Sequence, residues 1–522
     1  MKKKFSIHLY WIIPGAIVIF GLLLLFYQNF SNVTEPPASD WSRALLVGKT
    51  EINKLPPVKV TEDGGFVFTR FEDGKLATTT LGKDFNVKDQ KTYDIPVDKW
   101  TQIFQKENLI IYFDFKNIYD QDKNMIVSGV EKFYPLETTI FYLKDNILYQ
   151  LAPDNKESVK ILEVDLKKQD IVLQENEDGL NILMYSTNPS GVDVTLEQVI
   201  NGKMNTIYQS RIKIEPGKVV NDISYALNGE NLALLLQEEL EQSQGKPQFF
   251  NYFMETSVTN QDPQPLYELT FDDPAGNNSL TEVTDVVFKY SDGKPTLLFQ
   301  ANGKTETQYN DSTTFNIYTA EITESGATKT ERRSNTPAIS TSPQWLNEET
   351  IAWLDLDAEA HEIKIATSDI AKVSQLIEIT QEDWLNALGK TLGMITSSFF
   401  ALALAIIWFL WPIIFIVIMY FFKNRTIDRD PTWIFYTGIG LYALAAVIWK
   451  NQFFVDNIYI TAPNYLTFTG SSYFYMILFG IIAFWLAIHT KRTNDWSGTL
   501  RIMYFVGIHI LLLTIFFGPY II

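Results

Sequence analysis

The chain has 522 residues, 46% hydrophobic and 14% aromatic, which exceeds a single core and calls for two or three domains. It has no cysteine, so disulfides, thiolate nucleophiles and thiolate metal sites are excluded together. The net charge of −18 is uneven: 57 acidic and 33 basic residues lie between Ser31 and Lys390, and an acidic domain without a basic stripe excludes nucleic acid as a partner.

Met1 to Lys4 carries three lysines, and Leu9 to Tyr27 is an apolar run of about spanning length. It ends in Tyr27-Gln28-Asn29-Phe30 with no small-x-small cleavage site, which predicts an uncleaved signal anchor over 1–30 rather than a removed signal peptide. Residues 31–60, with Pro36-Pro37, read as a linker. From 61 to 380 the helical period is replaced by short apolar or alternating runs separated by turn residues, the pattern of an all-β domain. Ile140-Phe141-Tyr142-Leu143, turning at Asp145-Asn146 into Ile147-Leu148-Tyr149, is the plainest hairpin.

Self-similarity narrows the fold. Asp178, Asn228, Asp292 and Asn347 each open a turn that leads into an apolar strand, at offsets of 50, 64 and 55 residues. A four-stranded propeller blade takes about 40–50 residues. With earlier turns at Asp73 and Asp145, six or seven blades fit; an array of β-sandwiches is the rival fold.

Residues 381–394 read as an interfacial helix bearing Trp384, and 395–522 as a four-helix bundle with spans at 395–422, 432–449, 471–488 and 502–522. Ile395 to Phe422 contains no charge, and as a helix it rises about 42 Å, more than the hydrocarbon it would cross. Lys423, Arg425, Arg429, Lys491, Arg492 and Arg501 fall in the two loops expected on the same side as the amino-terminal lysines. The positive-inside rule then puts the amino terminus in the cytoplasm, and the β domain and carboxyl terminus outside the cell membrane. The fold expected is therefore a mixed membrane protein: an extracytoplasmic β-propeller with one amino-terminal and four carboxyl-terminal transmembrane helices. A large exported domain without disulfides fits a bacterial envelope of the Gram-positive type.

Ser342-Pro343-Gln344-Trp345-Leu346-Asn347, running into Ile351-Ala352-Trp353, resembles the blade consensus of TolB-like β-propellers, in which a Pro-x-Trp-Ser-Pro-Asp-Gly turn leads into an Ile-Ala-Phe strand. Pro343 and Trp345 agree with it, while Leu346-Asn347-Glu348 replaces Ser-Pro-Asp, and no Trp-Asp dipeptide of the WD40 type closes a blade. The resemblance implies a platform for binding other molecules and carries over no catalytic residue.

Chemistry-bearing motifs are sparse. The four histidines share no metal-binding spacing, and no phosphate-binding glycine loop or Gly-x-Ser-x-Gly elbow occurs, so neither nucleotide nor cofactor is expected. Two acidic clusters are the nearest thing to a site. Asp355, Asp357 and Glu359 alternate along a strand, as oxygen ligands on one face would, and Asp272-Asp273 stands near Asn277 and Asn278. Neither has calcium-loop spacing, and a solvated rim explains both. His509 lies about 10 Å into the last span, where an imidazole either relays protons, holds a ligand or ties neighbouring helices. The reading is a non-enzymatic membrane protein displaying a binding domain outside, whose partners are the bilayer and an envelope or membrane protein. The alternatives are a carbohydrate-active enzyme with paired carboxylates, or a component of a transport system.

Overall fold

The computed structural model describes residues 9–521 except 99, 107–108, 166–167, 177–178, 189–190, 201, 241–247, 261–263, 276–277, 305–312, 324–327, 337, 357–359, 370, 373–378 and 495. It divides into two compact units, one of helices at the two ends of the chain and one of strands between them.

The β unit consists of seven four-stranded antiparallel sheets. Six are built from consecutive strands: blades 1 to 6 cover 59–96, 102–128, 132–163, 170–212, 218–269 and 281–332. Blade 7 takes three strands from 339–367 and its fourth, Leu45–Thr50, from the start of the unit. Each blade must bury both faces, which explains why its central strands are apolar at nearly every position rather than at alternate ones. In the strand Ile140–Lys144, Ile140 and Tyr142 pack with Phe104 and Ile111 of blade 2, whereas Phe141 and Leu143 pack with Ile171 and Ile182 of blade 4. The period of two thus survives as a choice between neighbours.

Seven such cores occur, one at each junction, and the last joins Leu354 and Ile363 of blade 7 to Phe66 and Phe68 of blade 1. The ring is therefore closed, and the architecture is a seven-bladed β-propeller rather than a sandwich array. Full burial of each aromatic or aliphatic side chain stabilises such a junction by about 1.5–3 kcal/mol.

The expected linker 31–60 has more structure than a tether. Leu45–Thr50 pairs antiparallel with His361–Thr367, with Leu45 opposite Ile365 and Thr50 opposite His361. Just before it, Ser42 and Thr367 exchange two hydrogen bonds: the Ser42 N–H donates to the Thr367 carbonyl at 2.8 Å, and the Thr367 N–H donates to Ser42 Oγ at 2.9 Å. The unit's first and last strands thus share one sheet, which leaves no blade open at the seam.

The helical unit has five main helices: α1 Leu9–Thr34, α2 Gln381–Phe422, α3 Thr432–Ile448, α4 Ser471–Asn494 and α5 Gly498–Phe517. Four stretches, Leu9–Thr34, Asp383–Phe422, Ser471–Lys491 and Gly498–Tyr520, are long and apolar enough to cross a membrane, and α3 is apolar but shorter. The segment read as a separate interfacial helix is continuous with the following span. Thr380 and Asp383 form a capping box that starts α2 at Gln381, and the helix runs on through Pro412 to Phe422.

Helix α1 is an integral part of this unit. Gly21 lets it approach α5, since a Cβ there would lie 2.6 Å from Ile515 Cγ2. Buried Asn29 donates to Thr391 Oγ1 of α2 at 3.0 Å. Arg501, counted from the sequence among the loop cations, is 3% exposed, lies over the Phe435 ring and stands 3.9 Å from Asp430.

Candidate functional site

Among the first strands of the blades, those of blades 5, 6 and 7 abut one another: Lys218–Asn228, Thr281–Ser291 and Ile339–Trp345. All three lose regular register part-way along. The shifts fall between Val220 and Asp222, between Thr281, Thr284 and Val287, and between Thr341 and Gln344. Such bulges re-aim side chains and concentrate beside functional sites. Here they surround a cavity of about 500 Å³ lined from the three blades and from Lys54 and Leu55.

Two residues that line this cavity hold left-handed backbone without being glycine, Asp285 at φ 51° and Ser342 at φ 51°. Each costs on the order of 1–3 kcal/mol and persists only where surrounding contacts enforce it. The enforcing contact is visible. Asp285 Oδ2 accepts the Thr341 hydroxyl at 2.9 Å and the Ser342 N–H at 3.2 Å, locking blade 6 to blade 7.

The amides of the lining serve the scaffold. Gln344 donates to the carbonyls of Leu55 and Pro56 and accepts the Val58 N–H, pinning the lead-in to blade 1. Gln237 donates to the Val283 carbonyl at 2.8 Å and accepts Asn221 Nδ2 at 2.8 Å. Asp222, Asn221, Lys54 and Asp285 are exposed to the cavity or its mouth. Desolvation by the neighbouring protein nevertheless holds the Asp222 carboxyl above the usual range. The Ile223 N–H and Lys54 oppose that rise, while the like charge of Asp170 adds to it. Asp170 itself lies 3.3 Å from Lys132.

None of these cavity residues except Ser342, Pro343 and Gln344 was singled out from sequence, yet a signal exists. Asn221-Asp222-Ile223 and Thr284-Asp285-Val286 repeat a polar residue, an aspartate and an aliphatic residue part-way along two consecutive first strands, and Gln169-Asp170-Ile171 gives the same triplet where the first strand of blade 4 begins. A polar pair breaking an apolar strand is what a bulge looks like in sequence.

The residues expected from sequence sit elsewhere. Asp355 is 2% exposed, inside a sheet rather than on a solvated rim, and its Oδ1 accepts Ser340 Oγ at 2.7 Å and Trp353 Nε1 at 2.8 Å. Asp357 and Glu359 lie outside the described residues. Asp273 is buried and structural: it accepts the N–H groups of Ala275 and Lys304, while neighbouring Asp272 is exposed and bridges to Ser279. The two clusters share no hydrogen-bond partner among the described residues, and no group of three acidic or histidine side chains there could hold a metal.

His509 is also buried, between α3, α4 and α5. Its Nε2 stands 2.9 Å from the Met476 carbonyl and its Nδ1 2.7 Å from the Tyr442 hydroxyl. The groove of about 320 Å³ beside it is lined mainly by apolar side chains such as Ile439, Val447, Ile481 and Phe484.

No known family model matches the sequence, and no curated protein matches it. Solved structures similar to it include propeller proteins. The N-terminal domain of Nup159 covers 64% of this chain and 97% of its own length at 10% identity and a TM-score of 0.37. The α-L-arabinofuranosidase Arb93A of Fusarium graminearum covers 65% and 100% at 7% identity and 0.36. TolB from Acinetobacter baumannii covers 59% and 78% at 10% identity and 0.29. These likenesses are of fold alone; the chain is a seven-bladed β-propeller joined to apolar helices long enough to cross a membrane.

Proposed function

We propose that the protein is a multi-pass component of the cell membrane that displays its propeller outside the cytoplasm as a non-enzymatic binding domain. The observation that carries this reading is the cavity between blades 5, 6 and 7, where three adjacent strands abandon regular pairing at one level and two residues keep strained backbone. A scaffold without a ligand has no need of that arrangement. In this reading α1 is a retained anchor, supported by its buried Asn29–Thr391 hydrogen bond, and the partner is an envelope or membrane protein or a small molecule of the outer face.

The topology has a direct test, because the chain contains no cysteine. In intact cells a membrane-impermeant maleimide should label Asp145→Cys, in a propeller turn, and should leave Thr426→Cys unlabelled until the cells are opened. Equal labelling of both, or the reverse pattern, rejects the assignment. The binding role is tested by crosslinking in intact membranes with Thr284→Trp, whose indole fills the cavity. Partners captured by the wild-type chain should be lost while the variant accumulates and melts normally; unchanged partners would remove the cavity from the function.

One observation favours an enzymatic alternative: the cavity holds two carboxylates in unlike settings, Asp222 with a raised carboxyl and Asp285 tied by two hydrogen bonds. Release of reducing ends from envelope polysaccharide, abolished by Asp222→Asn, would establish it. The binding reading expects no such release.

A further inference from the structure

The cavity's chemistry narrows what it receives, in an inference that rests on the binding role proposed above. We infer that the cavity between blades 5, 6 and 7 takes a small hydroxylated amine, of the amino-sugar class, with its primary ammonium against Asp222 and Asn221 and its hydroxyls on Ser224 and Thr284.

Four properties select that class. First is charge. Asp222 and Asp285 face one lysine, Lys54, so a bound anion would meet a net negative wall. A cation instead relieves the crowding of Asp222 by Asp170, which has Lys132 as its own partner at 3.3 Å. Second is the absence of aromatic side chains from the lining among the described residues. Quaternary ammonium groups are recognised by aromatic faces, whereas a primary ammonium needs acceptor oxygens for three N–H donors. Asp222 and the Asn221 amide oxygen supply them, since Asn221 uses its nitrogen on Gln237. Third is size: about 500 Å³ suits a molecule of one or two sugar rings. Fourth is the mixed wall, in which Val286, Val287 and Leu235 offer apolar surface opposite the hydroxyl-bearing residues, as a ring with one polar edge requires.

The charged and titratable groups around Asp222 are Lys54, Asp170, Asp285 and Tyr185. Lys54 lines the same cavity, so a ligand ammonium competes with it for Asp222. Burial raises the Asp222 carboxyl, and the ammonium needs that carboxyl ionised, so affinity should fall as the pH drops through the raised value.

The test is calorimetric titration of the full chain in nanodiscs with glucosamine, N-acetylglucosamine and glucose at neutral pH. Glucosamine should bind about tenfold or more tightly than either neutral sugar, the worth of one charge-assisted hydrogen bond. Asp222→Asn should lose about that factor, and Lys54→Met should gain severalfold because the competing cation is gone. Equal binding of the neutral sugars, or no binding of any of the three, overturns the amine assignment; loss of crosslinked partners in Thr284→Trp would then still uphold the binding role. Glucosamine binding indifferent to Asp222→Asn, Lys54→Met and Thr284→Trp places the ligand elsewhere and overturns the inference. Melting curves of each variant report whether the fold is intact.

Discussion

Replacing Trp353 by alanine should destabilise the propeller by about 3–5 kcal/mol, the range for deleting a large aromatic side chain from a packed core. Trp353 is fully buried between blades 6 and 7, against Leu298, Ile317, Ile351, Ala366 and Trp41. It also donates its indole N–H to Asp355 Oδ1 at 2.8 Å, so its removal leaves both a hole and a poorer setting for a buried carboxylate. Trp353→Phe separates the two effects: most of the ring stays, the donor goes, and the expected cost is about 1–3 kcal/mol.

The pH dependence identifies the carboxylate's share. Burial holds Asp355 above the usual carboxylate range, with hydrogen bonds from Ser340 and Trp353 and the charge of Lys364 opposing the rise. With a raised folded value, the folded protein binds the proton more tightly than the unfolded chain. The stability from this group is therefore full below the unfolded carboxylate range and is lost as pH rises through the folded value. Removing the Trp353 donor raises the folded value further, so Trp353→Phe should cost more at neutral pH than near pH 4. Denaturant unfolding followed by near-ultraviolet circular dichroism at the two pH values measures this. An unchanged midpoint for Trp353→Ala, or a Trp353→Phe deficit independent of pH, would refute the account.

The fold was legible where its determinants are local. Asn228, Asp292 and Asn347 all mark the hairpin between the first and second strands of blades 5 to 7, so these three turns are equivalent, while Asp178 lies outside the described residues. Asp73 and Asp145 instead mark the hairpin between the second and third strands of blades 1 and 3. A turn rich in Asp, Asn and Gly announces a hairpin without saying which one it is, and the first strand of blade 1, Lys59–Val60, is too short to show a period. The closing strand was hidden for another reason. Leu45–Thr50 is stabilised by a partner at the far end of the unit, and nothing local distinguishes it from a tether.

The site was less legible because charge is a poor guide to burial. Asp355 looked like a rim residue, and its burial depends on Ser340, Trp353 and Lys364 converging on it from the sheet. Asp222 and Asp285 drew no notice because their distinction is geometric. Each sits where a first strand bulges, and only the ring brings those strands together around one cavity.

Replacing His509 by alanine should destabilise the helical unit by about 2–4 kcal/mol, through the space it leaves and the polar groups it orphans. The Met476 carbonyl can only accept, so Nε2 carries the imidazole proton, and Nδ1 accepts from the Tyr442 hydroxyl. One side chain thereby ties α5 to α3 and α4, with both nitrogens occupied, and the ring stacks on Phe505 at an interplanar angle of 9°. His509→Phe keeps the volume and the stacking but strands the Tyr442 hydroxyl in an apolar setting. Adding Tyr442→Phe removes that hydroxyl, so the double variant should be no less stable than His509→Phe alone, with a coupling of about 0.6–1.7 kcal/mol. Unfolding midpoints in bicelles measure the cycle. Additive costs would mean that the two side chains do not interact. If His509→Phe is neutral for stability but abolishes the protein's cellular role, the histidine acts on a proton or ligand rather than as a tie.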